Sequence, residues 1–298
     1  MTGEKSHVKP ARFDYYEPTT LGEALSLLAE FGDTAKPLAG GQSLVPMMNM
    51  RLARPAQLVD LNHVAELAYL KVENGELRVG AMTRQRTLER SKTVADGWPL
   101  LQEATRYIGH VQIRNRGTVG GSLVHAFPSA ELPVVMIALD ATLVVRSAKG
   151  ERLIRAEEFF VDVMTTVLQP GELLVEVRLP SCDPGSAASF LEVSRRHGDF
   201  ALMGVAAVIT PDPEGNVGGA RLVFTGSLPA RSRDAESLLI GKPPERELFT
   251  EAARVGAMEL DPESDVHASA EYRKEVAAVL ARRALEAAAS RAFGKTRP

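Results

Sequence analysis

Length, composition and charge are those of an ordinary globular protein. The chain has 298 residues, 45% of them hydrophobic and 24% charged, which is enough for two domains with their own cores. A net charge of −3 argues against a nucleic-acid-binding surface as the main feature. No apolar run is as long as a membrane span, and the polar N-terminus lacks the apolar core of a signal peptide. We therefore predict a cytoplasmic protein.

The residue types that bind metals or act as nucleophiles form no recognisable site. The single cysteine, Cys182, can neither form an internal disulfide nor hold an iron–sulfur cluster by cysteine ligation. The six histidines have no metal-ligand spacing, and neither an HExxH nor a GxSxG motif occurs. We predict no metal site and no catalytic residue on this chain, so that any redox chemistry depends on a bound organic cofactor.

The first 180 residues predict a mixture of helices and strands. Thr20 and Glu23 form a capping box at the start of an amphipathic helix that reaches Phe31. Strands are predicted over 37–39, 58–61, 76–80, 142–145 and 173–179, and helices over 44–52, 83–90, 99–108 and 129–139. In the strand 173–179, alternation puts Leu173, Val175, Val177 and Leu179 on one face.

The composition changes after residue 180. The segment 180–186 contains two prolines, a glycine and two serines, which is typical of a linker. Strands of an antiparallel sheet are predicted over 189–194, 202–210 and 217–224, and helices over 233–239, 248–258 and 272–291. We therefore predict a larger domain over residues 1–180 and a smaller one over residues 186–292.

Two glycine segments, far apart along the chain, carry the functional signal. The first, Ala-Gly-Gly-Gln-Ser at 39–43, lies between a strand and a helix, with Ser43 as a suitable N-cap. A glycine turn in this place directs backbone N–H groups outward, where they can bind phosphate. The second, Thr-Val-Gly-Gly-Ser at 118–122, repeats the pattern. We predict that both turns hold one diphosphate, and that a Cβ at their glycines would keep the backbone away from it.

Residues 39–46 (AGGQSLVP) and 112–123 (QIRNRGTVGGSL) closely resemble the flavin-binding subunits of molybdenum hydroxylases, which include the medium subunits of aerobic carbon monoxide dehydrogenases and a module of xanthine dehydrogenase. The segments 168–174 (LQPGELL) and 195–201 (RRHGDFA) extend the resemblance over nearly the whole chain. The resemblance implies an α+β fold. A two-part FAD-binding domain of the vanillyl-alcohol oxidase and p-cresol methylhydroxylase type would precede a smaller C-terminal domain of antiparallel sheet plus helices.

The resemblance also implies a non-covalently bound FAD and a set of contact residues. The glycine segments would supply Ala39, Gly40, Gly41, Gln42, Ser43, Leu44, Thr118, Val119, Gly120, Gly121 and Ser122. Glu131 matches a position that bonds the sugar-like part of FAD, although a carboxylate is favourable in any first helical turn. Leu168 and Leu174 match positions lining the flavin, with ordinary core packing as the alternative. Asp199 and Phe200 match a segment that approaches the flavin ring, where an aromatic side chain can cover one face.

One position departs from the family pattern. The family usually has His-Ala-Asp-Pro after the second glycine segment, whereas this chain has His125, Ala126, Phe127 and Pro128. Phe127 removes a polar group near the cofactor, which leaves open whether this position contacts the cofactor, faces a partner or simply packs.

The function implied by the resemblance is electron transfer within a larger oxidoreductase. A large subunit with the molybdenum cofactor would oxidise the substrate, and a small subunit with two [2Fe–2S] clusters would pass electrons to this chain's FAD and on to an external acceptor. The assembly would be a dimer of heterotrimers, with peripheral membrane contact as an option. One alternative is a stand-alone FAD-dependent oxidase or reductase, for which Arg84, His110 and His125 are the candidate groups. The other is a nucleotide-binding scaffold that has lost FAD.

Overall fold

The computed structural model describes residues 9–226 and 228–294, and in these residues helices pack around three main sheets. The strands are β1 Asp14–Tyr16, β2 Ala35–Leu38, β3 Gln57–Asp60, β4 Leu70–Glu73, β5 Glu76–Gly80, β6 Thr142–Ser147, β7 Gly150–Arg155, β8 Phe160–Asp162, β9 Thr165–Thr166, β10 Leu173–Leu179, β11 Ala187–Ser194, β12 Ala201–Pro211, β13 Val217–Phe224 and β14 Ala230–Arg231. The helices are α1 Leu21–Phe31, α2 Leu44–Asn49, α3 Gln85–Arg90, α4 Lys92–Gly97, α5 Pro99–Thr105, α6 Val111–Arg116, α7 Val119–His125, α8 Glu131–Ala138, α9 Ala156–Phe159, α10 Arg233–Leu239, α11 Arg246–Met258 and α12 Ala270–Ala292.

The N-terminal sheet is parallel and carries the first glycine segment. Its strands lie in the order β1-β3-β2, and α1 packs against it. The predicted capping box of α1 is present, because the N–H of Glu23 donates to Thr20 Oγ1 at 3.2 Å and the N–H of Thr20 donates to Glu23 Oε2 at 3.3 Å. The chain leaves β2 directly into residues 39–43, so this sheet fixes where the glycine segment begins.

The second sheet is antiparallel, in the order β4-β5-β10-β6-β7, with β10 at its centre. A β-bulge between Leu174 and Glu176 shifts the register of β10 against β6. The prediction that four alternating residues of this strand share one face is therefore wrong. Leu173 and Val175 pack with the α1 cluster, whereas Val177 and Leu179 pack on the opposite face with α8, because a bulge reverses the alternation.

The third sheet, β11-β12-β13-β14, is antiparallel and is covered on both faces. On one face Phe190 and Val208 join the core that contains α5 and α8, and on the other Val205 and Ala207 pack against α10, α11 and α12. One face of this sheet therefore packs against the part of the chain that precedes β11. Among the described residues, none of the helices combines the length and the apolar character that crossing a bilayer requires.

Candidate functional site

A cavity of about 860 Å³ lies where the first two sheets meet the loop that joins β11 to β12. Its wall is mostly apolar and contains a small number of polar groups, which is typical of cofactor pockets. The lining comes from the two glycine segments, the start of α8, the region of β10, the loop between β11 and β12, and the start of β12. Residues that are more than a hundred positions apart along the chain therefore line the same cavity.

Most of the predicted site residues meet in this cavity. It is lined by Ala39, Gly40, Gly41, Gln42, Ser43, Leu44, Thr118, Gly120, Gly121, Ser122, Glu131, Leu168, Leu174, Asp199 and Phe200. Val119 is the exception, because it does not line the cavity. Its side chain is buried in the core on the other side of α7, and its N–H donates to the carbonyl oxygen of Thr83 at 3.0 Å.

The first glycine segment offers unused hydrogen-bond donors. The five consecutive backbone N–H groups of residues 40–44 have no acceptor among the described residues. Gly41 has a φ of +75°, a left-handed conformation that favours glycine. Ser43 precedes α2 as predicted, but its side chain makes no capping hydrogen bond, so its hydroxyl is also free. Such a run of N–H groups at a cavity wall suits an anion.

The second glycine segment is a helix start rather than the predicted turn. Thr118 is the N-cap of α7, and its Oγ1 accepts from the N–H of Gly121 at 3.0 Å. The N–H of Gly120 donates to the carbonyl oxygen of Ala81 at 2.8 Å. The backbone N–H groups of residues 119–122 are therefore used within the protein. What it presents to the cavity is the hydroxyls of Thr118 and Ser122 and a surface without bulky side chains.

The two glycine segments touch each other. A Cβ on Gly40 would overlap the carbonyl oxygen of Arg116 and would lie 2.9 Å from Gly117 Cα, just before α7. A Cβ on Gly121 would lie 3.3 Å from Ala39 Cβ. At Gly40 and Gly121 the structure gives a reason for glycine besides the predicted close approach of a ligand. They allow the two segments to pack together, so that one ligand can reach both.

Glu131 is a buried carboxyl group on the cavity wall. It is the first residue of α8, its exposed fraction is 8%, and its side chain makes no hydrogen bond to another described residue. Burial raises the pKa of Glu131 to about 7, and a hydrogen bond from its own backbone N–H, followed by the charge of Arg114, opposes this effect. A buried polar group without a partner is costly, so its position fits a ligand that supplies hydroxyl groups.

Gln85 is a lining residue that the sequence analysis missed. It is buried, and its Oε1 atom has no hydrogen-bond partner among the described residues. We predicted a helix from Thr83, but α3 begins at Gln85, and the backbone of Arg84 pairs with Thr118 instead. This long-range pairing turns Gln85 towards the cavity. No local pattern in the sequence predicts the pairing.

Aromatic side chains close one side of the cavity. The ring of Phe200, from the loop between β11 and β12, lies with its centroid 4.5 Å from that of Phe127, and Phe127 in turn stacks on His125 with 5.9 Å between the ring centroids. Phe200 is 72% exposed, and burial lowers the pKa of His125. The residue that departs from the family pattern, Phe127, therefore packs on the aromatic ring that reaches over from the third sheet.

The groups that a stand-alone oxidase would need do not converge. Of Arg84, His110 and His125, only His125 lines the cavity. Arg84 is hydrogen-bonded to Asn62, and the ring of His110 lies 6.2 Å from that of His197. No acid–base pair results from this arrangement.

Comparison with known proteins assigns both parts of the chain. Residues 11–182 match the family described as the FAD binding domain in molybdopterin dehydrogenase, and residues 188–288 match the CO dehydrogenase flavoprotein C-terminal domain. Subunit alpha of the 6-hydroxypseudooxynicotine dehydrogenase complex of Paenarthrobacter nicotinovorans is 45% identical, over 96% of this chain and 97% of the relative. Caffeine dehydrogenase subunit beta of Pseudomonas sp. strain CBB1 is 40% identical, over 95% of this chain and 97% of the relative.

A solved structure gives the same result. Carbon monoxide dehydrogenase from Hydrogenophaga pseudoflava contains a chain with a TM-score of 0.92 and 36% identity, over 95% of this chain and 99% of that one. The predicted α+β fold, with an FAD-binding domain followed by a C-terminal flavoprotein domain, is confirmed, and so is the predicted class of oxidoreductase subunit. The chain belongs to the FAD-binding medium subunits of the molybdenum hydroxylases.

Proposed function

We propose that the chain holds FAD without a covalent bond in the 860 Å³ cavity, as the electron-transfer subunit of a heteromeric molybdenum hydroxylase. The observation that carries the proposal is the contact between the two glycine segments beside a run of unused N–H donors. A diphosphate is the part of FAD that needs such a surface. The domain division at residues 1–180 and 186–292 belongs to the same proposal.

We assign the lining residues roles in FAD binding according to the chemistry of their groups. The N–H groups of residues 40–44, with the hydroxyls of Ser43, Thr118 and Ser122, bind the diphosphate. Glu131 bonds sugar-like hydroxyls, Leu168 and Leu174 form an apolar wall, and Asp199 and Phe200 close the site from the third sheet. FAD, when bound, supplies the ability to take up electrons singly and release them in pairs.

The remaining parts of the reaction are assigned to partner subunits. The molybdenum cofactor and the [2Fe–2S] clusters lie on a large and a small partner chain, in a dimer of heterotrimers in the cytoplasm. The relatives with matching length are named as subunits or medium chains of dehydrogenases, which supports this division. Since two of them are named for a nicotine derivative and for caffeine, we propose an N-heterocyclic compound as the substrate of the whole enzyme.

The absorption spectrum of the purified chain tests the proposal. We expect a yellow protein with about one flavin per chain, and release of intact FAD into the supernatant after denaturation, because no covalent bond holds it. Folded protein that stays colourless in excess FAD contradicts the proposal and favours the scaffold alternative. A purified chain that oxidises a small molecule unaided favours the stand-alone oxidase.

The contact between Phe127 and Phe200 predicts how well the bound flavin is protected. Replacing Phe127 with alanine removes the ring on which Phe200 packs, an interaction of about 1 kcal/mol. We expect iodide to quench the fluorescence of the bound flavin more strongly, and Phe200→Ala to have the same effect. Quenching in the double variant should be little stronger than in either single variant, because each single change already removes the same contact.

The matched control is Tyr272→Ala, which removes a half-exposed ring from α12, away from the cavity lining. Quenching in this variant should equal that of the unchanged protein. Equal quenching in all five proteins would mean that the two rings do not cover the flavin.

A further inference from the structure

A hydrogen-bonded bridge joins the two glycine segments behind the cavity wall. Asn62 Nδ2 donates to the carbonyl oxygen of Ala39 at 2.9 Å, at the start of the first segment. Asn62 Oδ1 accepts from Arg84 Nη2 at 2.6 Å, and Arg84 Nη1 donates to the carbonyl oxygen of Arg116, just before the second segment. The two side chains of this Arg84–Asn62 bridge thus connect positions 39 and 116, which no local contact along the chain could join.

The bridge reaches the place where the segments touch. The carbonyl oxygen of Arg116 that accepts from Arg84 is the same atom against which Gly40 packs. The backbone around Arg84 is tied to the second segment as well, since the N–H of Gln85 donates to the carbonyl oxygen of Gly117 at 2.9 Å. The guanidinium group therefore holds the contact between the segments from the side away from the cavity.

The bridge also brings positive charge with which no carboxylate among the described residues pairs directly. Within residues 9–226 and 228–294, neither Arg84 nor Arg116 forms a salt bridge with a carboxylate. Burial, followed by the neighbouring Arg116, lowers the pKa of Arg84, and Asp60 opposes this effect. An arginine stays protonated at neutral pH, so a dianion bound at the segments is stabilised by this charge.

We propose that Arg84, oriented by Asn62, is a positioning residue that holds the two glycine segments together as one diphosphate-binding surface and so makes the site select FAD over FMN. The proposal rests on the proposed function. A diphosphate can contact both segments at once and gains from their fixed spacing. A monophosphate needs only one of them, so its binding depends much less on the bridge.

Affinity measurements on the full-length apo-protein test the proposal, with FAD and FMN as the two probes. Arg84→Gln should weaken FAD binding about 10- to 100-fold, the range expected for lost hydrogen bonds to a charged group. FMN binding should change less than about threefold, so that the preference for FAD collapses. Asn62→Ala should act in the same direction, because it keeps the charge of Arg84 but removes its orientation.

Two further variants separate positioning from general damage. Arg84→Ala should recover part of its FAD affinity when millimolar guanidinium is added, which a merely misfolded protein would not do. Arg90→Gln, which changes an exposed arginine at the far end of helix α3, the helix that follows Arg84, should keep the FAD and FMN affinities of the unchanged protein.

The outcomes are distinct. Equal losses of FAD and FMN affinity in Arg84→Gln and Asn62→Ala, or no loss of either, overturn the inference while FAD binding by the unchanged chain still supports the proposed function. If Arg84→Gln does not fold, Asn62→Ala decides by the same two affinities. Failure of the unchanged, folded chain to bind FAD overturns the proposed function itself.

Discussion

Replacing Gly40 with alanine is expected to weaken FAD binding by roughly 10- to 100-fold. The added Cβ would overlap the carbonyl oxygen of Arg116, a backbone atom that cannot rotate away. The two glycine segments must then separate, and overpacking of this kind costs about 1–3 kcal/mol, which appears in the binding constant if the cofactor needs both segments. The measurement is titration of the apo-protein with FAD, followed by flavin absorption and fluorescence.

The control for this variant is Gly97→Ala. Gly97 has an ordinary backbone conformation, and no heavy atom lies within 4 Å of the position of its Cβ. Its FAD affinity should equal that of the unchanged protein. Far-ultraviolet circular dichroism checks that Gly40→Ala keeps its helices and sheets. A folded Gly40→Ala protein with unchanged FAD affinity would show that the contact between the segments is not part of the binding site.

The sequence is a better guide to which residues line the site than to what each residue does there. The position of both glycine segments, the strand β10 and the start of α8 follow from local patterns and from the family resemblance. The state of the second segment does not, because the N–H groups of Val119 and Gly120 are taken by Thr83 and Ala81, far away along the chain. A pattern of small residues predicts an open backbone but not which donors the rest of the fold has already used.

The same limit applies to Val119, Phe127 and Gln85. Val119 belongs to the motif by sequence but to the core by geometry, because α7 turns its side chain away from the cavity. The packing partner of Phe127 comes from the third sheet, and the buried amide of Gln85 faces the cavity because of the pairing between Arg84 and Thr118. Each of these facts depends on a contact between distant segments, and local periodicity carries no information about such contacts.

The folding stability of the apo-protein is expected to fall as the pH rises from about 5 to about 8. Glu131 is one cause, because burial raises its pKa to about 7, well above that of an exposed glutamate. Between those two values the folded state holds a proton that the unfolded state has lost, so each rise in pH favours unfolding. The loss attributable to Glu131 is on the order of 3 kcal/mol and is complete once the pH exceeds the folded-state pKa.

A second buried carboxyl group acts in the same direction. Glu192 lies on β11, and burial, followed by the charge of Glu131, raises its pKa to about 8. Its Oε2 atom is buried without a hydrogen-bond partner among the described residues. Since the two carboxylates repel each other, removing the charge of one makes ionisation of the other less costly. The pH dependence of the folding stability therefore comes from Glu131 and Glu192 together.

Urea unfolding at a series of pH values measures this effect, with Glu131→Gln as the decisive variant. A neutral amide cannot ionise, so the part of the pH dependence due to Glu131 should disappear while the part due to the burial of Glu192 stays, and above pH 7 the variant should be more stable than the unchanged protein. Glu30→Gln, on the exposed side of α1, is the matched control and should keep the original pH dependence. If Glu131→Gln keeps the full pH dependence, that dependence comes from Glu192, and the carboxyl group of Glu131 is ionised at little cost in the folded protein.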